Sequence, residues 1–187
     1  MTLQGFVETI VAFLVAFGES FCFLSLIWPG TAILAGIAAL IAASGIDAKI
    51  IVPLAISAGF GGTAGYAASY WLGRYFETSI ASIWPFSTHP KLIPQGERFF
   101  KKWGVWSVFF GHFFGPVRAV IPIVAGMFRM PQIPFQIANA VSAFIWAIGI
   151  VAPAFYLVTF KAEVFQFLRD QPVLVAAALA LLGFLNA

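Results

Sequence analysis

Apolar residues fill this chain in long uncharged blocks, not in the alternating or 3.6-residue stripes of a fold with one face in water. Thr9 to Ile46 holds one charge, Glu19, and is interrupted by Gly18 and by Trp28-Pro29-Gly30. A single helix through all of it would far exceed the roughly 30 Å hydrocarbon core of a bilayer at about 1.5 Å per residue. The block must break, and Pro29-Gly30 is the natural place. The pattern predicts one helical arm before Gly18, an irregular middle over Glu19 to Trp28, and a second arm from Thr31 to Ser44, followed by a polar turn over Gly45 to Lys49. Ile50 to Gly73 is uncharged and long enough to span. Its Gly59, Gly61, Gly62 and Gly65, with Ala58 and Ala64, form a small-residue face on which another helix backbone can approach closely. Met130 to Phe160 reads as one tilted span with Pro131, Pro134 and Pro153 as punctuation, Lys161 to Asp170 as a polar turn, and Gln171 to Ala187 as an apolar tail just long enough to cross.

Between these blocks lies Phe109 to Gly126, FFGHFFGPVRAVIPIVAG, which carries one full charge, Arg118, and one imidazole, His112. Gly115-Pro116 and Pro122 remove backbone donors and disfavour helix at the preceding residue, so the run is expected to be broken or re-entrant. Irregular backbone at membrane depth is tolerated where protein buries it or where it lines a watery cavity. An Arg in such a segment costs about 2.5 to 3.5 kcal/mol on insertion scales and usually faces a partner or water.

Composition agrees. The chain is 61% hydrophobic, 17% aromatic and 9% charged, with a mean hydropathy of +0.98, which is the range of an integral membrane protein. Its 187 residues suit one domain of several spans, with no room expected for a soluble catalytic domain. Met1 to Thr9 has no Lys or Arg and carries Glu8, unlike the basic start of a secretory signal, so the first segment is expected to be retained. Arg74 to Lys102 is the one long polar stretch, with a net charge of +3 equal to that of the whole chain; the positive-inside rule puts it in the cytoplasm. Its end, GERFFKKWGVW, mixes basic and aromatic residues and reads as an interfacial anchor.

Four positions at membrane depth are candidates for chemistry: Glu19, Thr31, His112 and Arg118. Intramembrane ionisable groups are functional by default. His112 is the best pH-responsive candidate because an unperturbed imidazole titrates near about 6.5, and the planar Arg fork matches phosphate oxygens. His112 and Arg118 would not share a face on an unbroken helix, but a hairpin tip at Gly115-Pro116 would bring them together. Asn139, Ser142 and Trp146 share a helical face; such residues more often knit helices together, and Asn139 and Trp146 are carried as path-lining candidates. One Cys, Cys22, and two His give no expected metal site or cofactor. His89 and His112 fit no membrane phosphatase frame, and no Gly-x-Ser-x-Gly elbow or His-Glu-x-x-His helix occurs, so no catalysis is expected.

A Pro-containing break, then Ala-Gly, then a long uncharged helix occurs twice: Pro29-Gly30 with Ala35-Gly36 and Ile50 to Gly73, and Gly115-Pro116 with Ala125-Gly126 and Met130 to Phe160. Paired interrupted segments point to inverted-repeat transporters with a midplane site. Glu19 with Trp28-Pro29-Gly30 and Ala35-Gly36, Gly61 to Tyr66, and FFGHFFGPVRAVIPIVAGMFRM followed by Phe135, Asn139 and Trp146 together resemble the DedA family, also called SNARE-associated or VTT-domain membrane proteins. The resemblance implies two re-entrant hairpins whose tips meet inside a helical bundle. It also implies a bacterial inner-membrane protein of a family linked to proton-motive-force-dependent lipid transport, including undecaprenyl phosphate recycling and phosphatidylethanolamine flipping. The family pattern usually has an acid after Pro-Gly, where Thr31 stands, and an Arg where His112 stands. A paired loss of charge is explained if those positions face each other, leaving Glu19 and Arg118 as the essential pair.

The expected fold is all-α: a polytopic membrane protein with two re-entrant hairpins in a pseudo-inverted repeat. One domain, 1–187, divides into a first broken segment at 1–49, a span at 50–73, a cytoplasmic loop at 74–102, a second re-entrant segment at 103–129, a span at 130–160 and a C-terminal span at 171–187. The expected function is flippase- or scramblase-like movement of a phospholipid or polyprenyl phosphate. The alternatives are a proton-coupled small-cation antiporter or osmotic and pH-tolerance protein, in which Glu19 binds the ion, and a non-transporting membrane scaffold. Membrane lipids are the partners this calls for, with protons and a homo-oligomer left open and no nucleic acid.

Overall fold

A computed structural model describes residues 3–25, 27–82 and 86–170. Among these the chain forms seven α-helices and no strand: α1 Leu3–Ser20, α2 Gly30–Ala43, α3 Ile51–Phe76, α4 Leu92–Trp103, α5 Val105–Gly111, α6 Gly115–Met127 and α7 Gln132–Asp170. Ala48–Phe76 and Gln132–Glu163 are long and apolar enough to cross a membrane, whereas Gly30–Ala43 and Arg118–Met127 are shorter apolar helices.

Both predicted breaks are present. Pro29 is the N-cap of α2, and α1 and α2 pack together, with Ala12, Val15 and Ala16 in one core with Leu34, Ala38 and Ile41. The second break falls at His112 to Phe114, and Val108 of α5 packs against Ile121 and Ala125 of α6. Gly115 and Pro116 are therefore not the tip of this turn; they open α6. A proline in the first helical turn gives up an N–H that has no intrahelical acceptor, and its fixed φ favours helix initiation.

The helices differ from the sequence pattern at four places. α1 runs through Gly18 and Glu19 to Ser20, with Phe13, Phe17 and Phe21 stacked at centroid distances of 6.3 and 5.8 Å. Pro122 was expected to break the backbone, yet it lies inside α6, where flanking Ile121 and Ile123 are fully buried. Packing on both sides offsets the interior proline's cost of about 3 kcal/mol. Pro153 likewise sits inside α7, between Val151 and Phe155, which are in the core with α1 and α2. The predicted polar turn at 161–170 is helix: it holds neither Gly nor Pro, and polarity alone does not end a helix. The predicted C-terminal span at 171–187 lies outside the described residues.

The centre of the assembly is α3, which packs against α1, α6 and α7. A Cβ on Gly61 would run into the Phe13 carbonyl of α1, and one on Gly126 of α6 into the Tyr70 carbonyl of α3. The small residues set these helix spacings. The polar stretch after α3 holds a 3₁₀ turn, Glu77–Ser82, and the amphipathic α4, whose Gly96 rests on Val120 of α6.

Candidate functional site

The two breaks meet. Glu19 and Ser20 are the last residues of α1, and Arg118 is the fourth residue of α6. Each charge stands at the wrong end of its own helix dipole, an acid at a C-terminus and a base near an N-terminus. They resolve this by pairing. Arg118 Nη1 donates to Glu19 Oε1 at 2.9 Å, and Nη2 donates to Ser20 Oγ at 2.9 Å. The guanidinium also lies 4.3 Å from the centroid of the Trp146 ring on α7, a cation–π contact. Thr31, the second residue of α2, donates its hydroxyl hydrogen bond to the same Glu19 oxygen. The Glu19 carboxylate thus lies near the N-terminus of α2, where the dipole favours it.

Backbone groups of the first break are satisfied from α3: the Cys22 N–H donates to Ser69 Oγ at 2.9 Å. Gly30 matters for space, because a Cβ there would fall 2.6 Å from Glu19 Oε2 and 2.7 Å from Glu19 Cβ. His112 follows α5 in the second break and is fully buried. Its Nδ1 is 2.9 Å from Ser142 Oγ, and its ring lies 3.9 Å from that of Tyr66 on α3. Where Ser142 gives its one proton to the Ala138 carbonyl, 2.7 Å away, the imidazole donates from Nδ1 and Nε2 is left as an acceptor. Glu19 Oε2, Tyr66 Oη, His112 Nε2 and Arg118 Nε are all buried without a hydrogen-bond partner. Native interiors satisfy nearly all such atoms, so these four stand out among the described residues.

All four sequence candidates are therefore near this centre, but in two subgroups. Thr31, Glu19 and Arg118 form one bonded chain; His112 joins Ser142 and Tyr66. No hydrogen bond links Thr31 to His112: Thr31 serves Glu19 instead. Trp146 stacks on Arg118. Asn139 works differently, donating to the Thr63 carbonyl of α3 at 3.0 Å and holding α7 to α3. Ser20 and Tyr66 went unrecognised as site residues. Ser20 stands beside the acid with a hydroxyl, and Tyr66 is the one polar aromatic at the end of the glycine face, but neither signal is selective without the fold.

The VTT domain family matches residues 28–155, spanning α2 to α7 and Arg118, His112 and Trp146. The chain belongs to the VTT-domain, or DedA, family. Among VTT-domain relatives, the inner membrane protein YabI of Escherichia coli is 32% identical over 150 residues, covering 76% of this chain and 53% of the relative. The undecaprenyl phosphate transporter A of Bacillus subtilis is 34% identical over 99 residues, covering 50% and 49%. That of Staphylococcus aureus is 34% identical over 61 residues, covering 33% and 30%. The chain spans about half the length of the curated relatives it matches first. No solved structure matches. Of the buried pair, Arg118 lies inside the matched region and Glu19 before it.

Proposed function

We propose that this protein moves a phosphate-bearing lipid, a phospholipid or a polyprenyl phosphate, across the bacterial inner membrane in flippase- or scramblase-like fashion. The carrying observation is the Glu19–Arg118 pair, buried at the meeting of two helix breaks and ringed by unpartnered polar atoms. In this reading 1–187 is one domain, and the breaks at 1–49 and 103–129 are re-entrant hairpins of a pseudo-inverted repeat. The basic 74–102 segment lies on the cytoplasmic side. Arg118 binds the phosphate through its planar fork, and Ser20, Tyr66 and His112 supply further polar contacts. Glu19 is the switch. Ionised, it occupies Arg118; protonated, it releases the guanidinium to the lipid, so proton entry and headgroup binding are linked. Thr31 steadies the carboxylate between these states. Two relatives named for undecaprenyl phosphate transport support a lipid cargo.

The test is purified protein in liposomes, with labelled phosphatidylethanolamine, phosphatidylglycerol and undecaprenyl phosphate, each with and without an imposed pH gradient. The expected outcome is headgroup movement that Arg118→Ala abolishes and that the gradient modulates. If no lipid moves, but added cations collapse the pH gradient, the centre is that of a Glu19-based antiporter and the lipid reading fails.

A further inference from the structure

Beside the polar centre, α5 and α7 leave between them a cleft of about 440 Å³. Trp106 and Phe109 line it from α5, and Pro134, Ile137, Ala138 and Val141 from α7. At about 30 Å³ per water-sized unit it has room for about 15 such units, which suits a hydrocarbon chain. It opens outward: Trp106, Ile137 and Val141 are 61%, 60% and 48% exposed. Its inner end is different. Ala138 belongs to the buried cluster that contains Tyr66, with Phe109 packed against it. The residue after Val141 is Ser142, and three residues beyond Phe109 is His112, so the two walls are joined behind the cleft by the Ser142–His112 hydrogen bond. Tyr66 Oη and His112 Nε2, both unpartnered, lie in that same buried region.

We infer that this cleft seats the hydrocarbon chain of the transported lipid, with the phosphate end turned inward to Tyr66, His112 and Arg118, and that α5 and α7 frame the lateral entry. This inference rests on the lipid reading above and adds where the lipid enters. A second groove, about 230 Å³, lies between α3 and α7 and is lined by Val52, Ala55, Ile56, Phe144 and Ile148. Its buried Ala55 belongs to the apolar core with α1 and α2, not to the cluster that contains Tyr66. The two grooves should therefore behave differently. Lipid tails are as apolar as the groove walls, so apolar contact alone gives no preference over bulk bilayer. Preference for one groove has to come from the headgroup; the walls of the α5–α7 cleft are apolar, but the buried Tyr66 and His112 polar atoms lie behind it.

The experiment uses the full chain in vesicles with a diazirine-tailed phosphatidic acid, and in parallel a diacylglycerol bearing the same tail and no phosphate. After irradiation, cross-links are mapped by mass spectrometry. Peptides carrying Ile137 and Val141 should be labelled by phosphatidic acid about tenfold more than by diacylglycerol, the ratio for about 1.4 kcal/mol of headgroup binding. Peptides carrying Val52 and Ile56 should show no such ratio. Equal labelling of both grooves by both probes overturns the inference. Val141→Trp and Ile137→Trp fill the cleft from half-exposed positions without entering the core, and each should slow lipid movement about tenfold. If the wild type moves lipid and both variants move it equally fast, the entry assignment fails while the lipid reading stands. If the wild type moves none, the lipid reading fails, and the headgroup ratio at Val141 still decides whether the cleft binds a phosphate-bearing lipid.

Discussion

Two Arg–Glu pairs sit in very different places. Arg118–Glu19 closes at 2.9 Å with side chains 5% and 11% exposed; Arg129–Glu77 closes at 2.6 Å with side chains 70% and 47% exposed. The exposed pair joins two irregular helix ends. Arg129 follows α6 with φ of 51°, Met130 N–H returns to the Ala125 carbonyl, and Arg129 N–H to Gly126, which is a Schellman ending with Arg where Gly is usual. Glu77 ends α3 with φ of 44°. Water and salt screen this pair, so it acts as a clasp. The buried pair has no such screening, and each of its charges depends on the other. The same two residue types thus serve as a surface tie in one place and as the heart of the proposed site in the other. Environment makes the difference.

Removing one buried partner should have the largest effect. Arg118→Ala leaves Glu19 buried without its counter-charge and strips Trp146 of its cation. Stability in thermal unfolding should fall by about 3 to 5 kcal/mol, and lipid movement should be lost. A variant that still moves lipid at the wild-type rate would remove the pair from the site. Glu19→Gln keeps a hydrogen-bonding group toward Thr31 and Arg118, so the stability loss should be nearer about 1.5 to 3 kcal/mol. Its signature is functional: lipid movement should become insensitive to the imposed pH gradient, and retained sensitivity would shift the proton role to another group.

Gly30→Ala disturbs the buried pair without touching either charge. The added methyl would push on Glu19, for an expected loss of about 1 to 3 kcal/mol. Gly36→Ala, on the same helix with nothing within 4 Å of the new methyl, should be neutral or slightly stabilising. Equal effects of the two would mean that Glu19 yields freely. At the exposed pair, Glu77→Ala should cost at most about 1 kcal/mol, and less in high salt. Arg129→Gly should come out near zero, because relief of the left-handed backbone opposes loss of the ion pair. A loss at either exposed position as large as at Arg118 would erase the contrast between the pairs.

The smallest effect belongs to a third, fully exposed pair, Asp47 with Lys49 at 3.2 Å. The Lys49 backbone N–H and then its side chain hold the Asp47 carboxyl below its usual value. Its slight stabilisation is present above the ordinary Asp value of about 3.9 and is lost as pH falls through the lowered one. Asp47→Asn should remove that acid-limb dependence from thermal unfolding and leave the neutral-pH midpoint almost unchanged.

The chain's pattern alone determined much of this. Uncharged blocks too long for one helix and too apolar for water required a membrane protein with breaks, and Pro29-Gly30 and the Gly-Pro run placed those breaks to within a few residues. Glu19 and Arg118 were visible because charge in such blocks is costly and seldom idle. What the pattern could not decide was partnership and persistence. Glu19 and Arg118 are 99 positions apart, and no local rule links them, nor does any link Thr31 to Glu19, its hydrogen-bond acceptor. Pro122 and Pro153 carry the same local penalty as Pro29, yet helices run through them because neighbours on several sides hold the backbone in place. Local chemistry states what a segment resists. Only the packing of α3 against α1, α6 and α7 decides which resistance is overcome and which buried charges come to lie within reach of each other.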